Sequence, residues 1–450
     1  MAANGNERIR VAFLNLGTHM WGEYGAVMES RRRFVKGAAA SAAWLVGFRG
    51  AFAAGESDAA VGKPLAKWQQ GHFQVHFIHT GVGESQFLVF PDSTTMMIDC
   101  GDFDTRPIGS NALPPMPDGS RKAGEWIARY VTRANPRGNV VDYMLTSHYH
   151  RDHVGTMRDG WYPSGWGLAA QTLRFRRALD RAYPTFDDPI PFVDTPNRVV
   201  ELLRRLYAEL AERDGLVVER FRLGATDQIV PLVRPESVEG FSVRNICANG
   251  RVAYPDGTIR DLCRRDGKFA RVPFPNWIEN EMSCGSVFTY GKFRYFTAGD
   301  FSCKLEFDNG EDYYPEVEIG KAAGPVNVAK FNHHACHAMP PEAVRELRAQ
   351  VYTGCVWNST HHLSDDSMAA MCDRSLYPGK RYVCPGMMAP RIRERMAKNG
   401  PEWLEDVPEP VFEGAHVVID VPPGGETYSL SFVTARDESM TVKSVMHFKS

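Results

Sequence analysis

Between positions 148 and 153 the chain reads His148-Tyr149-His150-Arg151-Asp152-His153, which places three imidazoles and a carboxylate within six residues. Imidazole nitrogen and carboxylate oxygen are borderline-to-hard donors that suit Zn, Fe or Mn, and four donors in one loop can serve two adjacent ions. Histidines that merely decorate a solvated loop would not alternate as His-x-His-x-Asp-His. The apolar run Val140-Val141-Asp142-Tyr143-Met144-Leu145 leads directly into the group through Thr146 and Ser147, so the donors stand where a strand ends.

Such a loop needs elements that hold it. Phe73-Gln74-Val75-His76-Phe77-Ile78 alternates apolar and polar residues, as a half-buried strand does. Gly81 and Gly83 provide a tight turn, after which Gln86-Phe87-Leu88-Val89-Phe90 pairs back as the second arm of a hairpin. Met96-Met97-Ile98 forms a third strand ending at Asp99-Cys100-Gly101-Asp102, and Trp126, Ile127 and Tyr130 share a helical face before the fourth strand. The stretch 155–279 reads as an insertion or elaborated edge. Its clearest element is a helix from Thr195 to about Arg213, with Thr195 as N-cap, Pro196 at the first helical position and Gly215 as the stop. Strands resume over 286–290, 293–297, 326–331, 351–357, 416–421 and 428–433, and the alternation of strands and helices predicts a layered α/β fold.

The loop from His148 to His153, followed by Gly155, resembles the signature of the metallo-β-lactamase fold superfamily. The resemblance implies a four-layered αβ/βα sandwich with a helical insertion, its metals held at one edge by strand-end loops. It also implies roles for other positions. Asp99 matches an aspartate that braces the histidine loop by hydrogen bonds, and Asp300, in Phe296-Thr297-Ala298-Gly299-Asp300, matches one that bridges two metals. Val328-Ala329-Lys330-Phe331-Asn332-His333-His334 matches the run that carries the final metal histidine. His333 comes first after the strand and is the expected ligand, with His334 as second choice and as a substrate contact. Most two-metal members carry a further histidine between the loop and the bridging aspartate, yet none occurs here from Val154 to Asn332. Asn280 is the candidate for that place.

The subgroup of ComEC/Rec2-type DNA-internalisation competence proteins, with a related phosphorylcholine esterase, is similar at several points. Its opening pattern D-V-G-Q-G-D-S stands here as His79-Thr80-Gly81-Val82-Gly83-Glu84-Ser85, and its N-x-x-S as Asn280-Glu281-Met282-Ser283. Its H-H-G-S stands as His333-His334-Ala335-Cys336, and a late histidine corresponds to His361 or His362. The resemblance spans about His72 to Val433 and departs at His79, Val82, Ala335 and Cys336.

The implied chemistry is metal-dependent hydrolysis. Two divalent ions roughly 3.5–4 Å apart can share a water and bring its pKa toward neutrality, giving hydroxide without a separate base. The second ion polarises the substrate's carbonyl or phosphoryl oxygen. On this reading His148, His150 and Asp300 hold the first ion; Asp152, His153 and His333 hold the second; and Asp300 bridges. Asp152 is also placed to relay a proton. The expected cofactor is a pair of divalent ions, Zn first, with Fe or Mn as alternatives. The expected substrate is a phosphodiester, phosphate ester or other ester from the cell envelope, small and anionic. Two rival readings stand beside it: a metal-binding or sensing protein with a degenerate site, and a mono-iron sulfur dioxygenase, which shares the histidine pattern. His361 and His362 are candidates for orienting a leaving group. Trp161 and Trp166 either wall a ligand or pack the 155–279 stretch against the core. Cys100, Cys284 and Cys336 stand beside site motifs as small buried residues.

The whole composition is that of an ordinary globular chain: 450 residues, 43% hydrophobic and 24% charged. Lys+Arg of 52 against Asp+Glu of 54 gives a net charge of −2, which argues against a uniformly basic nucleic-acid binder but would not reveal a local basic groove, so a nucleic-acid partner stays open without support from net charge. The 9 cysteines are scattered without a CxxC pair, so neither a zinc ribbon nor a disulfide scaffold is expected. Ahead of the fold, Ser30-Arg31-Arg32-Arg33-Phe34-Val35-Lys36 precedes a weakly apolar run and the small-residue pattern Ala51-Phe52-Ala53. The segment resembles a twin-arginine export signal, and Met28 is a candidate start. Its run is shorter than the roughly 20 residues of a membrane span. Residues 1–55 are therefore expected to be signal and extension, 56–71 a linker, 72–435 the folded domain and 436–450 a tail. The expected partner is the twin-arginine export machinery, and the expected location is the periplasm or outside the cell.

Overall fold

The structure is a computed structural model that describes residues 57–103, 113–189, 198–271, 277–302, 304–308, 310 and 312–450. These residues belong to the unit Ala54–Ser450, and the expected signal over 1–55 lies outside them. Two large sheets dominate. The first has nine strands in the order Val442–Lys449, Thr427–Thr434, Ala415–Val421, Phe73–Phe77, Ser85–Val89, Thr95–Cys100, Val140–Thr146, Arg174–Asp180 and Val217–Arg220. It is antiparallel as far as Thr95–Cys100 and parallel from there on. The second has eight strands: Tyr382–Pro385, Val351–Gly354, Val328–Lys330 and Phe293–Thr297 run parallel, and Gly285–Tyr290, Phe241–Ala248, Arg251–Ala253 and Ile259–Asp261 follow antiparallel.

The sheets face each other across an aromatic core. Phe73 stacks on Phe288 at 6.0 Å and meets Phe241 edge-on at 5.2 Å, while Phe77 meets Tyr295 at 6.2 Å. Helices cover the outer faces. Ala123–Ala134 and Val199–Asp214 bury Ile127, Val131, Leu202 and Leu206 against the first sheet, and Ile319, Val344, Met368 and Ile392 cover the second. The protein is thus a four-layered αβ/βα sandwich, the layering that the resemblance implies.

Several expectations need correction. Phe73–Phe77 is buried along its whole length rather than half-buried. Its polar residues face the helix layer instead of water: Gln74 donates to Asp420 Oδ1 at 2.8 Å, and His76 Nδ1 lies 3.0 Å from the Tyr130 hydroxyl. The stretch 155–279 is core as well as elaboration, because it supplies Arg174–Asp180 and Val217–Arg220 to one sheet and Phe241–Ala248 to the other. The helix Val199–Asp214 stops at Gly215 in a left-handed conformation (φ 72), as expected, but begins after Arg198; Thr195 and Pro196 lie outside the described residues. The expected tail contains the strand Val442–Lys449, paired along Thr427–Thr434. Part of the expected linker pairs there too, with the Gly62 amide bonded to the Val442 carbonyl and Leu65 to Met440.

Candidate metal centre

Parallel strands present their carboxyl ends on one edge, and an α/β protein builds its sites there. Thr95–Cys100 and Val140–Thr146 deliver Asp99 and the loop from His148 to His153 on one side. Phe293–Thr297, Val328–Lys330 and Val351–Gly354 deliver Asp300, His334 and His362 on the other. Two glycines allow the loops to close. A Cβ at Gly101 would stand 1.5 Å from the Asp152 carbonyl oxygen, and one at Gly299 (φ +54) would stand 2.8 Å from Ser283 Oγ.

Asp152, His153, Asp300 and His334 form the centre: each offers a ligand atom within 4.8 Å of the others. His153 Nδ1 donates to Asp99 Oδ2 at 2.8 Å, which turns its Nε2 toward Asp300 Oδ2 at 3.0 Å. His334 Nδ1 donates to the Cys355 carbonyl at 2.7 Å, and its Nε2 lies 3.4 Å from Asp152 Oδ2 and 3.5 Å from Asp300 Oδ2. In both rings the pinned Nδ1 fixes the tautomer and aims the other nitrogen inward, the second-layer arrangement that orients metal-binding histidines. Asp300 Oδ1 is buried without a hydrogen-bond partner among the described residues. Its other oxygen, Oδ2, faces the two oriented imidazoles, and a carboxylate so placed fits a cation.

His148 and His150 stand next to this group. Ser147 donates its hydroxyl to Asp99 Oδ2 at 2.7 Å, so its oxygen accepts from His148 Nδ1 at 3.0 Å. His148 Nε2 then faces His150 Nδ1 at 3.0 Å and Asp300 Oδ2 at 4.0 Å. Asp99 holds the Ser147 amide at 2.8 Å as well as His153. The residue takes a left-handed conformation (φ 61) to do so.

Electrostatics follow from burial and neighbours. Burial raises the Asp300 carboxyl, but His153, His334 and Lys330 overcome this and hold it well below the usual range. Burial lowers the His334 ring, but Asp300, Asp152 and Glu84 outweigh it and lift it to about 9. The His148 ring is depressed by burial and by His153 and His150.

Of the two adjacent histidines it is His334, not His333, that enters the four-residue group. The reason is local: His333, His334 and Ala335 all take positive φ (47, 52 and 56), and this tight left-handed turn carries the second ring inward. His333 Nδ1 lies 2.9 Å from Ser302 Oγ instead, and its ring, depressed by burial, falls to about 4. His362 stacks on His334 with ring centres 4.6 Å apart, and its Nδ1 accepts the Trp357 and Asn358 amides at 3.2 Å. His361 is exposed and remains outside. Asn280 is buried in the turn Trp277–Met282 beside Ser283, whose Oγ accepts the Asp300 amide at 3.1 Å. Trp166 is fully buried against Phe175 and Trp161 is 54% exposed, so the two make no wall.

Two contributors escaped the reading of the sequence. Lys330 is fully buried, donates to the Gly299 and Phe331 carbonyls at 2.7 and 3.1 Å, and lies 3.8 Å from both Asp300 and Glu84. Glu84 Oε2 stands 3.4 Å from His334 Nδ1. The signals were present: a lone lysine inside the apolar run Val328–Phe331, and an acid within Gly83-Glu84-Ser85.

No protein-family model matches the chain, and no curated protein matches it by sequence. Among solved structures, a crystal structure of unliganded yeast PDE1 is similar over 74% of this chain and 96% of that chain, at 12% identity and a TM-score of 0.31.

Proposed function

We propose that the protein is a metal-dependent hydrolase acting on an anionic ester, with phosphodiesters and phosphate esters of the cell envelope as the favoured class. The observation that carries this reading is the convergence of Asp152, His153, Asp300 and His334, whose two imidazoles have their Nδ1 atoms pinned and their Nε2 atoms turned inward. These four would hold one divalent ion, and His148, His150 and Asp300 a second. When bound, such ions supply a water acidified toward neutral pKa and a positive centre for the developing charge. The chain does the rest. Asp99 fixes the His153 ring directly and the His148 ring through Ser147; Asp152, 15% exposed, is the carboxylate placed to take or return a proton at the open side; and buried Lys330 offsets the charge of Glu84 and Asp300. The resemblance of the histidine loop to the metallo-β-lactamase signature supports the same class.

Metal analysis of the purified chain and turnover of a generic phosphodiester such as bis(4-nitrophenyl) phosphate test the reading. Asp300→Ala and His150→Ala are each expected to abolish turnover and to lower metal content. Survival of activity in either variant would make the two-metal reading wrong. A second reading is favoured by one fact: among the described residues only one four-ligand group closes, with His148 and His150 beside it. One tightly held ion without turnover across ester panels would then indicate a metal-binding or sensing protein, and oxygen-dependent consumption of a persulfide would indicate a mono-iron dioxygenase. Export by the twin-arginine route belongs to the same proposal, and a mature amino terminus near Ala54 would support it. Among the described residues no helix is long and apolar enough to cross a membrane.

A further inference from the structure

The turn that runs from Glu279 to Cys284 touches both the histidine loop and the loop that carries Asp300. Glu279 Oε1 accepts the Tyr149 amide at 2.8 Å, which belongs to the residue between His148 and His150. Ser283 Oγ accepts the Asp300 amide at 3.1 Å, and the Cys284 amide donates to the Ser147 carbonyl at 2.9 Å. Glu281 Oε1 accepts the Ser302 amide at 3.2 Å, and the Ser302 hydroxyl meets His333. Behind Glu279 stands Arg181, fully buried, which grips both carboxylate oxygens: Nε to Oε1 at 2.8 Å and Nη2 to Oε2 at 2.6 Å. Its guanidinium also lies 4.1 Å from the centre of the Tyr149 ring.

A buried ion pair is weak evidence for stability, because desolvation offsets much of its attraction. What the two-pronged arginine grip does supply is a fixed direction for the carboxylate. Here that direction places an acceptor on the peptide nitrogen between two candidate ligands. We infer that Glu279, held by Arg181, is a positioning residue for the His148/His150 half of the metal centre, restraining by its backbone contact the segment between the two rings. The inference rests on the metal-dependent reading above.

Zinc binding to the purified full chain, followed by equilibrium dialysis and competition with a chromophoric chelator, tests it. The parent is expected to bind two ions. In Glu279→Gln the more weakly held ion should lose about 10–100-fold in affinity, the range seen when outer-layer partners of metal ligands are changed, while the tighter ion stays. Should that variant fail to fold, the paired change Glu279→Leu with Arg181→Met removes the clamp without leaving a buried charge alone, and the same loss is expected. In the metal-free protein the paired variant should also exchange its Tyr149 amide hydrogen faster. Tyr207→Phe, which deletes a 3.0 Å bond to Asp180 in the surrounding buried cluster, should leave both zinc affinities unchanged. Parent-like affinity for both ions in the clamp variants would overturn the inference. A parent that binds one ion would overturn it while sparing the four-residue centre, and a parent that binds none would overturn both.

Discussion

His333 and His334 are neighbours with equal chemistry and unequal places. His334 Nε2 faces Asp152 and Asp300, whereas His333 Nδ1 meets Ser302. His334→Ala is therefore expected to lower metal affinity far more than His333→Ala, which a side-by-side chelator competition would show; equal losses would contradict the assignment. Asp99 touches three groups of the histidine loop without entering the four-residue group. Asp99→Asn should weaken metal binding by about 10–100-fold while the fold survives, because it alters ring orientation and basicity rather than a ligand. At this scale the histidine loop was legible in the sequence, since a strand followed by alternating donors is a local pattern, whereas Asp99 and Asp300 stood out only through the resemblance to a known signature. The choice of His334 was not, because it depends on three consecutive positive-φ residues that no periodicity announces.

Elements decide whether those residues arrive together. Most core strands were legible from apolar runs, but Phe73–Phe77 could not be recognised as buried on both faces from its alternation. Its Gln74 and His76 look solvent-facing until the helix Ala123–Ala134 supplies Tyr130 above them. The helix Val199–Asp214 covers the first sheet through Leu202, Leu203, Leu206 and Leu210, all buried. Leu206→Ala should cost about 2–5 kcal/mol, as deletions of buried leucine side chains do, and urea unfolding followed by circular dichroism would measure it. Gly101→Ala tests a loop rather than a core: with 1.5 Å available to the new Cβ, Asp152 must shift, so metal binding should fall even in protein that stays folded. Preserved affinity in a folded Gly101→Ala protein would show that the Asp152 loop yields without cost.

Stability of the whole molecule should depend on pH through two buried histidines that do not enter the four-residue group. His76 and His416 are buried, and burial first of all drives their rings down to about 4 and about 3. Above pH 6.5 both are neutral whether the chain is folded or unfolded, so stability is complete there. As pH falls below 6.5 the unfolded rings take up protons that the folded ones refuse, and stability is lost from 6.5 down toward 3. His416 Nδ1 accepts the His79 amide at 3.0 Å, a bond an asparagine oxygen can replace. His416→Asn should therefore lose less stability than the parent between pH 7.5 and 5.0 in matched urea titrations; parallel losses would remove His416 from the account.

What the sequence presented by itself was a set of candidate donors and their address: alternating donors after a strand, an aspartate near the end of each of two others, and a layered α/β chain of near-zero net charge. These are legible because they rest on residue type and short spacing. Tertiary structure alone decided which donors meet, that 155–279 belongs to both sheets, that the last strand closes the first sheet, and that Arg181 grips Glu279 across 98 residues of chain. Such pairings have no local signature, because they arise only when two sheets pack and bring the carboxyl ends of distant parallel strands to one edge.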